Sequence, residues 1–443
     1  MSRSQDPPRL LDPPGSAASL PLGSEMSKRL ENLKPLRVCR IITRLNVGGP
    51  SVQATLLSKS LVEFGFETLL VAGIEDAREG NFLNLLPSEE LDSLEVVTVP
   101  SLRRAPDLRA DAAALARLAA IVRSFRPDIV HTHMAKAGTL GRLVARATGV
   151  PVVIHTFHGN VFSGYFSKPA ATAVRAWEAF LSRLSTAVIA ISPSQAVQLE
   201  EAGIPRSKIK MIPLGVPLKK LVERAKELGD SPGDAKLAAR KLLGLPEKAF
   251  TICWVARLVP IKDPDLMLEA VASLAGLSSS VALLIVGDGP MREAVLQRAR
   301  ELGVEVFLRS WTPDLVPCYL AADVVALSSK NEGFPVSLIE ALSLGKPVAS
   351  TDVGGVSDLI EAAGSGVLAK ERTADALAEA IQRAASIPEA QLAISARRVA
   401  DSFDATILTR RMADLYTELA YSKVHLIERR RRRWGDRRLQ PAS

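Results

Sequence analysis

Residues 331–340 read Asn-Glu-Gly-Phe-Pro-Val-Ser-Leu-Ile-Glu and carry two carboxylates, Glu332 and Glu340, eight positions apart. Gly333 and Pro335 between them favour a turn that opens a helix, with Glu332 just before it and Glu340 about two turns inside. Over that rise both carboxylates can face one elongated ligand and accept hydrogen bonds from its hydroxyls. The free amides of the stretch Gly333-Phe334-Pro335-Val336, in which Pro335 alone has none to offer, lie at the positive end of the helix dipole, so a phosphate fits between the carboxylates. Upstream, Ala256-Arg257-Leu258-Val259-Pro260-Ile261-Lys262 follows an apolar run and projects two cations from one loop. Arginine grips phosphate oxygens in pairs and lysine supplies a point charge, which suits a leaving diphosphate. A further anion-binding candidate is Gly48-Gly49, in Asn46-Val47-Gly48-Gly49-Pro50-Ser51 ahead of a helix. Structural readings stay open for each: a turn needing positive φ, solvated loop cations, a Glu332 charge complementing the helix dipole, and Glu340 on a solvated face. The dinucleotide fingerprint G-x-G-x-x-G is missing, which argues against a nicotinamide cofactor.

The elements that position these residues follow from periodicity. Apolar runs of strand length alternate with helix-period segments, the pattern of parallel sheets covered by helices on both faces. A first series has runs at 38–43, 68–72, 94–99, 128–132, 152–156, 187–191 and 209–213, and a second at 250–256, 282–286, 304–308, 324–327, 347–350 and 366–369. The expectation is an α/β protein of two Rossmann-like domains, residues 36–216 and 217–402. Ligands of such sheets bind at the carboxyl ends of the strands, here in a shared cleft. Phe403, Ile407, Met412, Leu415, Tyr416 and Leu419 have helical spacing and place an amphipathic helix over 403–427, packed across the junction. Residues 1–35, with scattered prolines and serines and no apolar core, read as a disordered leader.

Composition narrows the classes further. At 443 residues two or more domains are expected, and 47% hydrophobic with 23% charged residues describes globular cores rather than disorder. Cys39, Cys253 and Cys318 have neither disulfide nor zinc spacing, so a reducing cytoplasm is the expected compartment. No apolar run reaches the roughly 18 to 20 residues that span a bilayer. The net charge of +8 is concentrated in residues 428–443, a basic tail whose seven arginines face only Glu428 and Asp436 and leave +3 for the rest. For Arg429 to Arg433, peripheral contact with anionic lipid at the inner membrane face and a solvated segment are the two readings. Nucleic acid is not an expected partner, because the run lacks interleaved aromatics beyond Trp434. Asp263-Pro264-Asp265 spells Asp-x-Asp, but its proline suits a first helical position, and His131 with His133 lacks a third ligand. No metal and no cofactor is expected.

Together these residues resemble the retaining glycosyltransferases of family 4, over about residues 36 to 420. The resemblance rests on Asn331 through Ala341, Gly345-Lys346-Pro347-Val348, Asp352-Val353-Gly354-Gly355, Val286-Gly287-Asp288-Gly289-Pro290, His131-Thr132-His133, Thr156-Phe157-His158-Gly159 and residues 161–166. It implies the GT-B fold, with a nucleoside-diphosphate sugar, UDP most commonly, bound mostly by the second domain and a glycan or lipid-linked acceptor by the first. It implies that Glu340 binds ribose hydroxyls, that Glu332 holds a hydroxyl of the transferred sugar, and that Arg257 and Lys262 neutralise the diphosphate. Amides at Gly333 to Val336 and the Gly48-Gly49 turn would assist, and His158 would position the sugar, a core histidine being its alternative. A nucleotide-sugar 2-epimerase on the same fold, or a relative that binds without turnover, are the competing functions. The sequence departs at Phe307-Leu308-Arg309-Ser310-Trp311, where relatives commonly have Phe-Leu-Gly-Trp beside the nucleobase, and at Asp263, where glycine often follows the lysine. The loop around Arg103-Arg104-Ala105-Pro106 and residues 160–167 belong to the acceptor side.

Overall fold

Each apolar run read from the sequence is a strand in the computed structural model, which describes residues 35–75, 80–159, 168–275 and 280–434. The leader at 1–34, the acceptor-side stretch 160–167 and the tail from 435 lie outside the described residues. Strands β1 (Leu36–Ile42), β2 (Phe66–Ala72), β3 (Val96–Thr98), β4 (Ile129–His133), β5 (Val152–Thr156), β6 (Ala187–Ala190) and β7 (Ile209–Met211) form one sheet in the order β3-β2-β1-β4-β5-β6-β7. Strands β8 (Phe250–Val255), β9 (Val281–Val286), β10 (Glu305–Arg309), β11 (Val324–Leu327), β12 (Val348–Thr351) and β13 (Val367–Ala369) form a second, ordered β10-β9-β8-β11-β12-β13. The strand pairs are parallel in both sheets. Every residue of β9 is buried, as a strand covered by helices on both faces requires. In each sheet the chain order reverses at one point, between β1 and β4 and between β8 and β11. Neighbouring connections there leave in opposite directions and open a crevice at the strand ends.

The expected helix over the junction is present, and its packing explains its sequence. After the helix Glu389–Phe403, whose Val399 and Phe403 belong to the second core, the chain crosses back. The amide of Val216 donates to the carbonyl of Phe403 and the amide of Ala405 to the carbonyl of Val216, both at 2.8 Å. Asp404 caps the next helix, Ala405–Ser422, by accepting from the Thr406 amide at 3.0 Å. That helix lays Leu408, Met412, Leu415, Tyr416 and Leu419 against Leu36, Val38, Phe66, Ile129, Ile154 and Ile189 of the first sheet. Its apolar stripe therefore closes one face of the N-terminal sheet from the far end of the chain. The helix Val424–Trp434 continues the layer with Val424 and Ile427, and Arg431 binds Asp128 at 2.5 Å and the carbonyl of Pro35 at 3.1 Å. Among the described residues no helix is long and apolar enough to cross a membrane.

Met412 is fully buried in this layer. Met412→Ala should cost about 2 to 5 kcal/mol in urea unfolding of the N-terminal half, as truncation of a well-packed core residue does. A loss below about 0.5 kcal/mol would mean that the helix is an accessory to this sheet.

Candidate active site

The loops after β8 and β11 meet at the crevice of the second sheet. β8 ends at Val255, and the half-buried Arg257 follows in the loop that closes with the short 3-10 turn Pro260–Lys262. The amide of Lys330 donates to the carbonyl of Ile261 at 2.8 Å, and the Ser328 hydroxyl bonds the carbonyls of Lys262 and Asp263 at 2.8 and 2.9 Å. These bonds tie the lysine loop to the Glu332 loop. Lys262 Nζ then reaches Glu332 Oε1 at 2.5 Å, with side chains 19% and 10% exposed, and the Ser329 hydroxyl donates to the same oxygen at 2.5 Å. Pro335 caps the helix Val336–Ser343, which carries Glu340 away from the loop, and Phe334 packs on Phe403 at 5.3 Å between ring centres. Glu340 accepts from the Tyr319 hydroxyl at 2.5 Å. Burial pushes the Glu340 carboxyl up to about 7, opposed in part by the hydrogen bond from Tyr319. The motif thus presents one carboxylate paired to a cation and one beside a neutral phenol.

The first domain closes over this corner. A Cβ on Gly333 would lie 1.9 Å from the carbonyl oxygen of His158 and 2.8 Å from the Cα of Gly159, so only glycine fits where the two loops cross. Gly354, at φ +58°, would place a Cβ 1.7 Å from the carbonyl of Glu332, and the amide of Gly355 donates to the carbonyl of Gly333 at 3.1 Å. Gly48 precedes the helix Gly49–Ser60, and Gly49 faces Val336 with 3.2 Å between a Cβ placed there and the valine Cγ2. Nearby, Ser194 opens the helix Pro193–Glu201 and gives both its amide and its hydroxyl to Asp358 of the second domain, at 3.1 and 2.5 Å. The residues singled out by sequence on both sides, Gly48, Gly49 and His158 with Gly333 through Val336, are therefore brought together at one seam.

His158 follows β5, and its Nε2 lies 2.8 Å from Nδ1 of His133 at the end of β4. Burial, and next to it the charge of Arg40, hold its pKa down to about 3, so the ring is neutral at neutral pH. It is a hydrogen-bonding group rather than a cation. Asp263, where relatives often have glycine, adopts φ +50°, a region that aspartate tolerates better than most residues. Its carboxylate is held by Arg372 and, at 3.4 Å, by Lys330, while Pro264 begins the next helix. Arg309 turns its guanidinium out to the carbonyl of Leu243 at 2.5 Å, and Trp311 lies against Gly287. The extra residue in that loop therefore points away from the crevice. Among the described residues no group of three or more His, Cys, Asp or Glu side chains is placed to hold a metal ion. Sequence reasoning missed Tyr319, which reads as a core aromatic, and Arg40, whose charge inside the apolar run Val38 to Ile42 was the available signal.

Comparison with known proteins agrees in both halves. Residues 48–215 match the family described as glycosyl transferase 4-like domain, and residues 236–398 the one described as glycosyl transferases group 1. An Escherichia coli relative, UDP-Gal:alpha-D-GlcNAc-diphosphoundecaprenol alpha-1,3-galactosyltransferase, is 29% identical over 75% of this chain and 86% of its own. A D-inositol 3-phosphate glycosyltransferase of Saccharomonospora viridis is 31% identical over 66% of this chain and 70% of its own. Among solved structures, Anabaena Alr3699/HepE in complex with UDP and glucose superposes with a TM-score of 0.70 at 19% identity, over 86% of this chain and 99% of that one. Sucrose-phosphate synthase from Thermosynechococcus elongatus does so at 0.71 and 20% identity, over 87% and 100%. At such identities the likeness establishes the GT-B fold.

Two outcomes follow from this geometry. Gly333→Ala sets backbone against backbone, a clash that no rotamer relieves, so the loops must part; small-angle scattering should show a larger radius of gyration, and an unchanged radius would mean that the seam yields locally. For Glu340, a folded pKa raised to about 7 against an ordinary 4.5 means that the folded state holds a proton the unfolded state has lost. Wild-type stability relative to Glu340→Gln should therefore fall as pH rises from about 4.5 to about 7 and level above it, in denaturation series across that window. A flat difference would place Glu340 in a wetter setting.

Proposed function

We propose that this chain, which belongs to the group 1 glycosyltransferases of the family 4 type, moves a hexose or N-acetylhexosamine from a nucleoside-diphosphate sugar to a glycan or lipid-linked acceptor, with retention of anomeric configuration and without a metal. The observation that carries the reading is the Lys262–Glu332 pair at the strand crevice, with Glu340 two turns further on. A diphosphate entering there draws Lys262 and Arg257 to its oxygens and leaves Glu332 free to accept a hydrogen bond from a sugar hydroxyl. Glu340 takes the ribose hydroxyls, and amides from Gly333 to Val336 with the Gly48-Gly49 turn face the phosphates. His158, neutral and half-buried, orients the transferred sugar. Glycosyl transfer passes through an oxocarbenium-like state, and once the leaving diphosphate is neutralised the rest of the barrier is lowered by orientation and fixed dipoles. The activities of the Escherichia coli and Saccharomonospora viridis relatives favour a UDP-sugar donor and an acceptor carried on lipid diphosphate or an inositol phosphate. On that reading the enzyme works in the cytoplasm beside the inner membrane face.

The test is transfer of labelled sugar from UDP-sugars to a native lipid extract by purified protein in EDTA, with the product anomer read by NMR. Lys262→Ala should lower kcat by about 10² to 10³, the range for loss of one group that stabilises developing charge. Glu340→Ala should raise donor KM about tenfold with a smaller change in kcat. Transfer that requires a divalent ion, or the same kinetics in both variants, would overturn the mechanism; conversion of the donor with no acceptor present would point to an epimerase.

A further inference from the structure

Among the described residues, a guanidinium with no carboxylate partner lies beneath the first-domain side of the cleft. Arg40 on β1 is fully buried among neutral groups: Nε donates to Ser58 Oγ at 3.1 Å, and Nη1, with two protons, lies 3.0 Å from His131 Nδ1, 3.2 Å from the Tyr416 hydroxyl and 3.3 Å from His133 Nε2. Burying a cation this way is costly, and such groups persist where they fix something else.

What Arg40 fixes follows from counting protons. Arginine only donates, so Nε2 of His133 must be an acceptor without a proton. The His133 ring is neutral, held well below its ordinary pKa by burial first and by the surrounding rings and Arg40. Its one proton is therefore on Nδ1, which donates to Nε2 of His158 at 2.8 Å. The same count makes Nε2 of His158 an acceptor and puts its proton on Nδ1, a buried atom with no hydrogen-bond partner among the described residues. A second branch runs through His131, whose Nδ1 accepts from the Tyr416 hydroxyl at 2.5 Å, which leaves the two Nη1 protons of Arg40 for the Tyr416 oxygen and His133, and whose Nε2 then donates to Thr156 Oγ1 at 2.7 Å.

We infer that Arg40 is a positioning residue whose hydrogen bond, relayed through His133, locks His158 as the Nδ1–H tautomer, so that His158 offers a ligand a donor and never an acceptor. The relay stands on its geometry alone. Its use, donation to an oxygen lone pair of the nucleotide sugar, rests on the glycosyltransferase reading. By this route a strand residue that never meets the ligand sets which ligand atom His158 can hold.

The chain has five histidines, so long-range ¹H–¹⁵N correlation on ¹⁵N-histidine protein reads each tautomer, and His158→Asn assigns the signal by its loss. The wild type should carry the His158 proton on Nδ1. Tyr416→Phe, which disturbs the same cluster but keeps Arg40, should leave it there, and Arg40→Met should move it toward Nε2. A wild-type proton on Nε2, or no change in Arg40→Met, overturns the relay and leaves the glycosyltransferase reading untouched. In transfer assays His158→Asn, whose amide nitrogen sits near Nδ1, should lose less of kcat than His158→Gln, whose amide nitrogen sits near Nε2. His158→Gln and Arg40→Met should each lose about tenfold in kcat with donor KM little changed. Equal losses in the Asn and Gln variants overturn the donor role.

Discussion

The carbonyl of His158 and the Cα of Gly333 approach so closely that no side chain fits between them, and the chemistry of the cleft hangs on that contact. It brings the strand ends of two independent sheets within reach of one ligand. Around it the backbone is shaped by further glycines: Gly354 in the left-handed region under the Glu332 carbonyl, and Gly355 returning its amide to Gly333. Asp358 secures the same seam by bonding both the amide and the hydroxyl of Ser194 from across the domains. These interactions are short and mostly backbone, so they fix position without adding charge to the site.

Charge in the cleft follows a different rule, that a half-buried ion must find a partner. With no ligand, Lys262 and Glu332 satisfy each other, and Asp263 is satisfied by Arg372 and Lys330. A ligand that offers both anionic oxygens and hydroxyl donors can replace both halves of the first pair at once. On the proposed function, a bare anion at Lys262 would leave Glu332 with the Ser329 hydroxyl alone, and a neutral sugar at Glu332 would leave Lys262 without its carboxylate, so the pair would favour a ligand with both features. Among the described residues Glu340 meets Tyr319 and no cation, and its carboxyl rises to about 7. Of the two glutamates in one short motif, one is thus held by a cation and the other is raised in pKa by burial.

The two sheets were legible in sequence because their central strands are apolar runs of the length that double burial demands, with helix-period segments between. The carboxylate pair was legible because Gly333 and Pro335 mark the helix start, which fixes the offset of Glu340. Other parts were hidden for physical reasons. The left-handed conformation of Asp263 is chosen by tertiary ties to Arg372 and Lys330, and the outward turn of Arg309 by a carbonyl about 66 residues away in sequence. Tyr319 sits in the apolar helix Val316–Ala321, where a tyrosine looks like packing until its hydroxyl is seen on Glu340. Arg40 announced itself as a charge inside a buried strand, yet its partners, Tyr416 and the histidines of β4, are assembled only by the fold.

That assembly depends on the last long helix. The first sheet presents a bare apolar face until Leu408 to Leu419 return to it, several hundred residues after β1 in sequence, and such non-local closure is slow to form. The helix that closes this core also brings Tyr416 onto Arg40 and His131. Before it docks, the guanidinium would face water and would have no reason to donate to His133 rather than to solvent. The same helix begins at the point where the chain leaves the second domain, two residues after Phe403, whose ring packs on Phe334 of the cleft loop. The crossing therefore links the two halves of the site through one stretch of chain: Phe403 supports the glycine turn on one side, and Tyr416 completes the buried cluster behind His158 on the other.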